Sequence, residues 1–85
     1  MDPSLYEQAI KLSSRPYVER VTRDENETVN GQPTFLAESP ELEGCTARGG
    51  TYAEAIRNLR ALRLEIIYHL LENHLPVPGP YIVMV

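Results

Sequence analysis

The sequence predicts a single α+β domain, 1–85, whose elements follow the order α-β-β-β-α-β. Three observations predict it: short runs of β-branched and aromatic residues between turn signals, a long stretch with apolar residues at helical spacing, and an uncharged apolar C-terminal segment. A chain of 85 residues has room for one hydrophobic core. We therefore expect a three-stranded antiparallel meander, a C-terminal strand in the same sheet, and one long helix packed on a face of that sheet.

The first predicted element is a helix at 3–14. Asp2 is a favourable N-cap, and Pro3 suits the first helical position because its missing N–H has no partner to lose there. The step from Arg15 to Pro16 ends the helix, since the residue before a proline is pushed out of the α region.

Three strands are predicted to follow, at 16–24, 34–38 and 45–48. The first is rich in tyrosine, valine and threonine, which favour extended structure. The polar run at 24–28 and the pair Asn30-Gly31 predict a hairpin loop of generous length between the first two strands. Turn-forming residues at 39–40 and 49–50 end the second and third strands.

The long helix is predicted at 51–73, where Thr51 and Glu54 form a capping box. One face is expected to cover the sheet and carries Tyr52, Ala55, Ile56, Leu59, Leu62, Ile66 and Leu70. A second apolar stripe points away from the first and carries Leu64, Ile67, Tyr68 and Leu71. A helix that is apolar on two sides needs a cover on both. The second stripe therefore packs against either the N-terminal helix or a second subunit.

The C-terminal strand is predicted at 81–85, after a proline-rich extended connection at 75–80. An uncharged apolar strand left as a free edge is an aggregation hazard. We therefore expect it to pair, most simply beside the first strand. This strand and the second helix stripe together predict a homodimer. The residues predicted for its interface are Leu64, Ile67, Tyr68, Leu71, Tyr81 and Val83.

The composition favours an acidic globular protein, whose negative charge suits either solubility or a basic partner. Eight basic and twelve acidic residues give a net charge of −4, which argues against a free-standing nucleic-acid binder. Arg57, Arg60 and Arg63 recur on the long helix and are interpreted as a solvated face. The sequence shows no membrane span and no signal pattern, and the single Cys45 cannot form an internal disulfide. We expect a cytoplasmic protein.

No residue pattern indicates catalysis, a metal centre or a cofactor site, and we expect none of them. Cys45 is interpreted as a packing residue. His69 and His74 are five positions apart, which turns them away from each other on a helix. An acidic surface that meets a basic partner is predicted from the carboxylates near the turns, Asp24, Glu38, Glu41 and Glu43. A metal-dependent nuclease built on loop carboxylates is the alternative that we rank last.

Two motifs in this order resemble the HicB antitoxin family. The first is Pro-Glu-Leu-Glu-Gly-Cys at 40–45 and the second is Gly-Gly-Thr-Tyr-Ala-Glu-Ala at 49–55. Members typically read P-x-L-x-G-C, then G-x-T-x-x-E-A, then a long helix. The exit Leu-Pro-Val-Pro-Gly-Pro at 75–80 is similar to the family's x-P-x-P ending. The resemblance covers 16–85 as a core module, and 1–15 is then an N-terminal helical extension.

The resemblance implies a β-β-β-α-β module with a truncated ribonuclease-H-like sheet that lacks the catalytic carboxylates of that fold. Members commonly self-associate and bind HicA, a small basic mRNA-cleaving toxin, so that its active site is masked. Full-length members usually carry a C-terminal DNA-binding segment, and none follows Val85 here, so we expect no direct DNA binding. The expected function is neutralisation of a HicA-type toxin by occlusion. The alternative is a stand-alone homo-oligomeric scaffold or regulator without a toxin partner.

Overall fold

Residues 2–81 are described by the computed structural model, and they form two helices and a three-stranded antiparallel sheet. In chain order the elements are α1 (Pro3–Ser13), β1 (Arg20–Val29), β2 (Gln32–Glu38), β3 (Thr46–Gly49) and α2 (Tyr52–Glu72). The strands lie in the order β1-β2-β3, which confirms the α+β class and the antiparallel meander. The strand predicted at 81–85 falls, beyond Tyr81, outside the described residues.

The start of α1 follows from its first residues. The Oδ1 atom of Asp2 accepts hydrogen bonds from the backbone N–H groups of Ser4 and Leu5, at 2.9 and 3.4 Å. Pro3 occupies the first turn, where its missing N–H leaves no bond unmade. The helix ends at Ser13, shortly before the predicted break. The predicted N-cap is confirmed.

The hairpin between β1 and β2 is tighter than predicted. β1 runs to Val29, through the polar residues expected to form a loop, and the connection consists of Asn30 and Gly31 alone. Their φ values are 53° and 78°, and a type I′ turn needs positive φ at both positions. The strand register shifts between Asp24 and Thr28, so a bulge in β1 accommodates the extra polar residues.

Small residues on one face of the sheet allow α2 to approach it closely. Val21, Ala37 and Ala47 are aligned across the three strands, and Ala37 is fully buried. Gly49 ends β3 under the first turn of α2, and a side chain there would overlap the backbone of Ala55. The N-terminal turn of α2 therefore packs directly on the backbone of Gly49.

The capping box of α2 is present in a shifted form. Thr51 Oγ1 accepts a hydrogen bond from the Glu54 backbone N–H at 3.1 Å, as predicted. The Glu54 carboxylate accepts from the N–H of Gly50, at 3.2 Å, and not from that of Thr51. At the other end, Asn73 is the C-cap, and His74 follows with a φ of 56°.

The buried face of α2 combines members of both apolar stripes that the sequence predicted, with Arg63 between them. Its centre is formed by Ala55, Leu59, Arg63 and Ile67. Tyr52, expected to cover the sheet, is 59% exposed, whereas Ile67, expected in a subunit interface, is fully buried within its own chain. The sheet and α1 both contact α2. The residues of α2 that face the junction between the sheet and α1 are therefore the most deeply buried.

The N-terminal helix covers part of the second predicted stripe. The rings of Tyr6 and Tyr68 meet edge to face, with centroids 6.3 Å apart. The Tyr68 hydroxyl also accepts a hydrogen bond from the Asp2 backbone N–H, at 2.9 Å. Of the two covers left open for this stripe, α1 is the one observed in residues 2–81.

The segment at 75–81 contains no helix or strand and lies beside the residues that connect α1 to β1. That connection contains no strand either, because β1 begins at Arg20 and not at residue 16. The Tyr17 hydroxyl donates a hydrogen bond to the Pro78 carbonyl, and Arg15 Nη2 lies 3.4 Å from the same oxygen. These bonds hold the two segments together.

Candidate functional site

The four carboxylates predicted as one acidic surface lie in three different environments. Glu38 pairs with Arg20 across β1 and β2 at 3.0 Å, and Asp24 pairs with Arg48 at 3.2 Å. Both pairs lie on the sheet face opposite α2, as the strand register shows. Glu43 is exposed in the turn before β3. These three residues therefore do not form one continuous patch of unpaired negative charge.

Glu41 is buried, which corrects its predicted place on that surface. The residue is 7% exposed, and Oε2 accepts hydrogen bonds from the backbone N–H groups of Val18 and Tyr81, at 2.8 and 3.1 Å. Both N–H groups belong to segments outside the sheet, so they need an acceptor from elsewhere. Oε1 is buried and has no hydrogen-bond partner among the described residues. Glu41 thus joins the two segments.

An ion cluster that the sequence did not predict connects α2 to the segment before β1. It consists of Glu19, Arg60 and Arg63, and we refer to it as the arginine cluster. Arg60 donates to both carboxylate oxygens of Glu19, at 2.8 and 2.9 Å, and Arg63 Nη1 donates to Oε2 at 3.0 Å. The Arg60 hydrogen bond, assisted by Arg63 and opposed by partial burial, lowers the pKa of Glu19 below its ordinary 4.5.

Arg63 is buried, although the arginine strip was interpreted as a solvated face. Its side chain is 7% exposed, whereas that of Arg60 is 61% exposed. Arg63 Nη1 also lies 3.3 Å from Ser39 Oγ, and the guanidinium carbon is 5.3 Å from the centroid of the Tyr17 ring. The sequence did contain a signal for this burial. Arg63 is four residues from both Leu59 and Ile67, and residues at this spacing lie on the same face of a helix.

Cys45 packs in the core, as predicted. It is 1% exposed and belongs to the same buried cluster as Leu59 and Ile67. Burial raises the pKa of the thiol above its ordinary value, and the nearby Arg63 opposes this rise only in part. A buried thiol held in its neutral form is a poor nucleophile.

Two grooves run along α2, and both leave apolar side chains half-exposed. The α2 groove has a volume of about 400 Å³ and is lined by Glu43, Leu62, Glu65, Ile66, His69 and Leu70. The helix–helix groove, between α1 and α2, has a volume of about 550 Å³ and is lined by Tyr6, Ala61, Leu64, Glu65, Tyr68 and His69. Glu65 and His69 line both grooves, so they form a polar ridge between them.

The residues predicted for a subunit interface are distributed over several places. Leu64 and Tyr68 line the helix–helix groove, and Leu71 is half-buried against the core. Ile67 is fully buried and is therefore not available to a partner, whereas Tyr81 is 58% exposed. Val83 lies outside the described residues. Ile66 and Leu70 pack partly against the core, as the sequence pattern predicted, and together with Leu62 they also line the α2 groove, which the pattern did not predict.

Within residues 2–81, no three histidine, cysteine or carboxylate side chains are grouped so that they could hold a metal ion. None of the helices in this part of the chain combines the length and the apolar content needed to cross a membrane. No protein-family model matches the sequence, and comparisons with curated proteins and with solved structures give no match. What the protein does is therefore inferred from its own residues and surfaces.

Proposed function

We propose that this protein is an antitoxin-like binding protein that neutralises a HicA-type mRNA-cleaving toxin by covering it, without catalysis of its own. The observation that carries the proposal is the α2 groove. Leu62, Ile66 and Leu70 form an apolar floor of half-buried side chains on α2. Side chains of this kind, bordered by polar residues, are typical of a protein-binding surface.

The charges around the groove favour a basic partner. Glu43 borders it on the side of the turn before β3, and Glu65 borders it on the ridge of α2. Both residues are exposed, and the chain as a whole carries a net charge of −4. Complementary charge accelerates the encounter with a basic protein and orients it, while the apolar floor supplies contact area.

The sequence motifs support the identity that we propose for that partner. They resemble the HicB family, whose members bind a small basic toxin, and the motif at 49–55 spans the β3–α2 junction of the observed fold. Three antiparallel strands followed by a long helix agree with the module that this resemblance implies. The C-terminal strand of that module falls outside the described residues.

The test is growth rescue by co-expression with a small basic protein encoded next to this gene. We expect wild type to relieve growth arrest by the neighbour and Glu43→Lys/Glu65→Lys to lose this ability, because the reversed charges repel a basic surface. The control is Glu7→Lys/Glu25→Lys, which changes the net charge by the same amount at exposed positions outside the groove. Failure of wild type to relieve the arrest, or equal loss in both variants, would contradict the proposal.

A homo-oligomeric scaffold is the second candidate, because the same apolar floor could be covered by another copy of this chain. Light scattering after gel filtration distinguishes the two. A monomer mass of 9.6 kDa at micromolar concentration contradicts the scaffold. A stable oligomer that Ile66→Asp dissociates, in a chain with no basic partner, supports it and contradicts the antitoxin proposal.

A further inference from the structure

A polar cleft lies on the side of α2 away from the α2 groove. It is formed by the end of α1, the segment before β1 and the middle of α2, and its volume is about 470 Å³. Ile10, Pro16 and Leu64 provide apolar walls, and Arg15, Arg60 and Arg63 provide charge. We refer to it as the arginine cleft. Its size is that of a small-molecule site.

The charge in this cleft is opposite in sign to that of the chain. Three guanidinium groups line it, and Glu19 is its one carboxylate, so the local charge is +2 in a chain whose net charge is −4. The guanidinium carbons of Arg15 and Arg63 both lie within 5.4 Å of the centroid of the Tyr17 ring. Glu19 bonds Arg60 and Arg63 but not Arg15. Positive charge therefore remains uncompensated.

The arginine side chains also retain unused donors. Within residues 2–81, no hydrogen bond uses Nη1 of Arg15, Nη1 of Arg60 or Nη2 of Arg63. The Arg63 side chain is 7% exposed, and its buried Nε has no partner in the same part of the chain. Holding a guanidinium this deep is costly unless its charge and its donors are satisfied. An added oxyanion would lower that cost.

The positions of two arginines are fixed before any ligand arrives. Arg15 Nε donates to the Leu12 carbonyl at 3.0 Å, and its Nη2 donates to the Tyr17 hydroxyl at 2.6 Å. Arg63 is held by Glu19, by Ser39 and by the Tyr17 ring. Donors that are ordered in advance lose little entropy when an anion binds, and a guanidinium matches the planar fork of a carboxylate or the edge of a phosphate.

From these observations we propose that the arginine cleft binds a small organic anion, whose carboxylate or phosphate head contacts the free guanidinium donors and whose apolar body packs on Ile10 and Leu64. Glu19 occupies part of the same donor set and competes with the ligand. This activity is independent of partner binding, because the cleft and the α2 groove have no lining residue in common.

The experiment is an NMR titration of the ¹⁵N-labelled full chain with phenyl phosphate, benzoate and the neutral benzamide. We expect at least one of the two anions to bind with a Kd of about 1 mM or tighter, with benzamide much weaker. The arginine Nε–H signals and the backbone signals of 13–19 should shift. Whichever anion binds more tightly identifies the head group as phosphate or carboxylate.

Variants locate the site and reveal the competition. Arg60→Gln should weaken binding about tenfold through the loss of a charge-assisted contact, whereas Arg57→Gln should not change it. Arg57 is the matched control because it is exposed on the same helix and does not line the cleft. Glu19→Gln should tighten binding about tenfold, since the internal competitor is removed.

Three results would each overturn the proposal. In the first, neither anion binds more tightly than benzamide. In the second, Arg60→Gln and Arg57→Gln weaken binding equally, which indicates nonspecific screening. In the third, a Glu19→Gln variant whose NMR spectrum shows that it is folded binds the anion no more tightly than wild type.

Discussion

The two sides of α2 have opposite chemistry, and each differs in part from what the hydrophobic pattern predicts. On one side, Arg63 is 7% exposed and is bonded to Glu19. On the other side, Leu62 and Ile66 line an open groove. The comparison teaches that a helix packed between a sheet and a second helix buries the line between its two contacts. A charged residue such as Arg63 can lie on this buried line, and a leucine such as Leu62 can lie next to it, partly exposed.

The largest difference in the free energy of unfolding is expected between alanine substitutions of two leucines that lie one turn apart on α2. Leu59 is fully buried, whereas Leu62 lines the α2 groove. Leu59→Ala should lower the free energy of unfolding by about 3 kcal/mol, and Leu62→Ala by less than about 1 kcal/mol, because only the first leaves a cavity. Urea denaturation measures both. Equal losses would show that the groove floor belongs to the core and would remove the proposed binding surface.

The second contrast concerns the buried arginine. Arg63→Met should lower the free energy of unfolding by about 2 kcal/mol, less than the loss of a fully buried ion pair, because Glu19 keeps its bonds to Arg60. The control Arg57→Met lies on the same helix, is exposed and should be neutral. A stabilised Arg63→Met would show that desolvation of the guanidinium outweighs its contacts.

An effect of similar size is expected at Glu41, which is two positions from the exposed Glu43. Glu41→Ala removes the acceptor shared by the N–H groups of Val18 and Tyr81, so it should cost about 2 kcal/mol. Glu41→Gln keeps an acceptor oxygen and should cost about 1 kcal/mol, and Glu43→Gln should be neutral. Hydrogen exchange at Val18 and Tyr81 should accelerate in the alanine variant. Unchanged exchange would contradict the role of Glu41 in joining the two segments.

The smallest effect is the contribution of Glu19 to acid stability. Its pKa is lowered in the folded chain from an ordinary 4.5, chiefly by Arg60. The stabilisation is therefore complete above the unfolded pKa and is lost as the pH falls through the lower, folded pKa. Between pH 6 and pH 3, the free energy of unfolding should fall less in Glu19→Gln than in wild type. The exposed control Glu25→Gln should follow the wild-type curve, and a Glu19→Gln curve parallel to it would contradict the assignment.

The parts of the fold that the sequence predicts are those decided by local chemistry. Asp2 and Thr51 cap their helices as predicted, and Asn30-Gly31 turns the hairpin, because each acts on backbone atoms within a few residues. The polar run that follows Asp24 misled the prediction because Asp, Glu and Asn usually mark loops. Here a bulge and a two-residue turn keep those residues inside β1.

The candidate sites were harder to predict, because they depend on contacts between distant segments. The buried Glu41 accepts hydrogen bonds from N–H groups that lie 23 and 40 residues away in the sequence. The buried Arg63 donates a hydrogen bond to a carboxylate 44 residues away. Ile67 was assigned to a subunit interface because helical spacing alone does not decide whether a second subunit or the chain itself buries it, and the chain itself does so. The acidic residues near turns were predicted to form an exposed surface, and Glu43 is exposed whereas Glu41 is buried.

The most direct test of the central claim is to map where the basic partner binds. The ¹⁵N-labelled protein is titrated with an inactive variant of the small basic neighbour, and backbone shifts are followed. Our account predicts that the largest shifts fall at Glu43 and at 62–70 on α2, with little change at 13–19. Saturable binding that shifts only the open sheet face or the segment at 13–19, and leaves 62–70 unchanged, would contradict it.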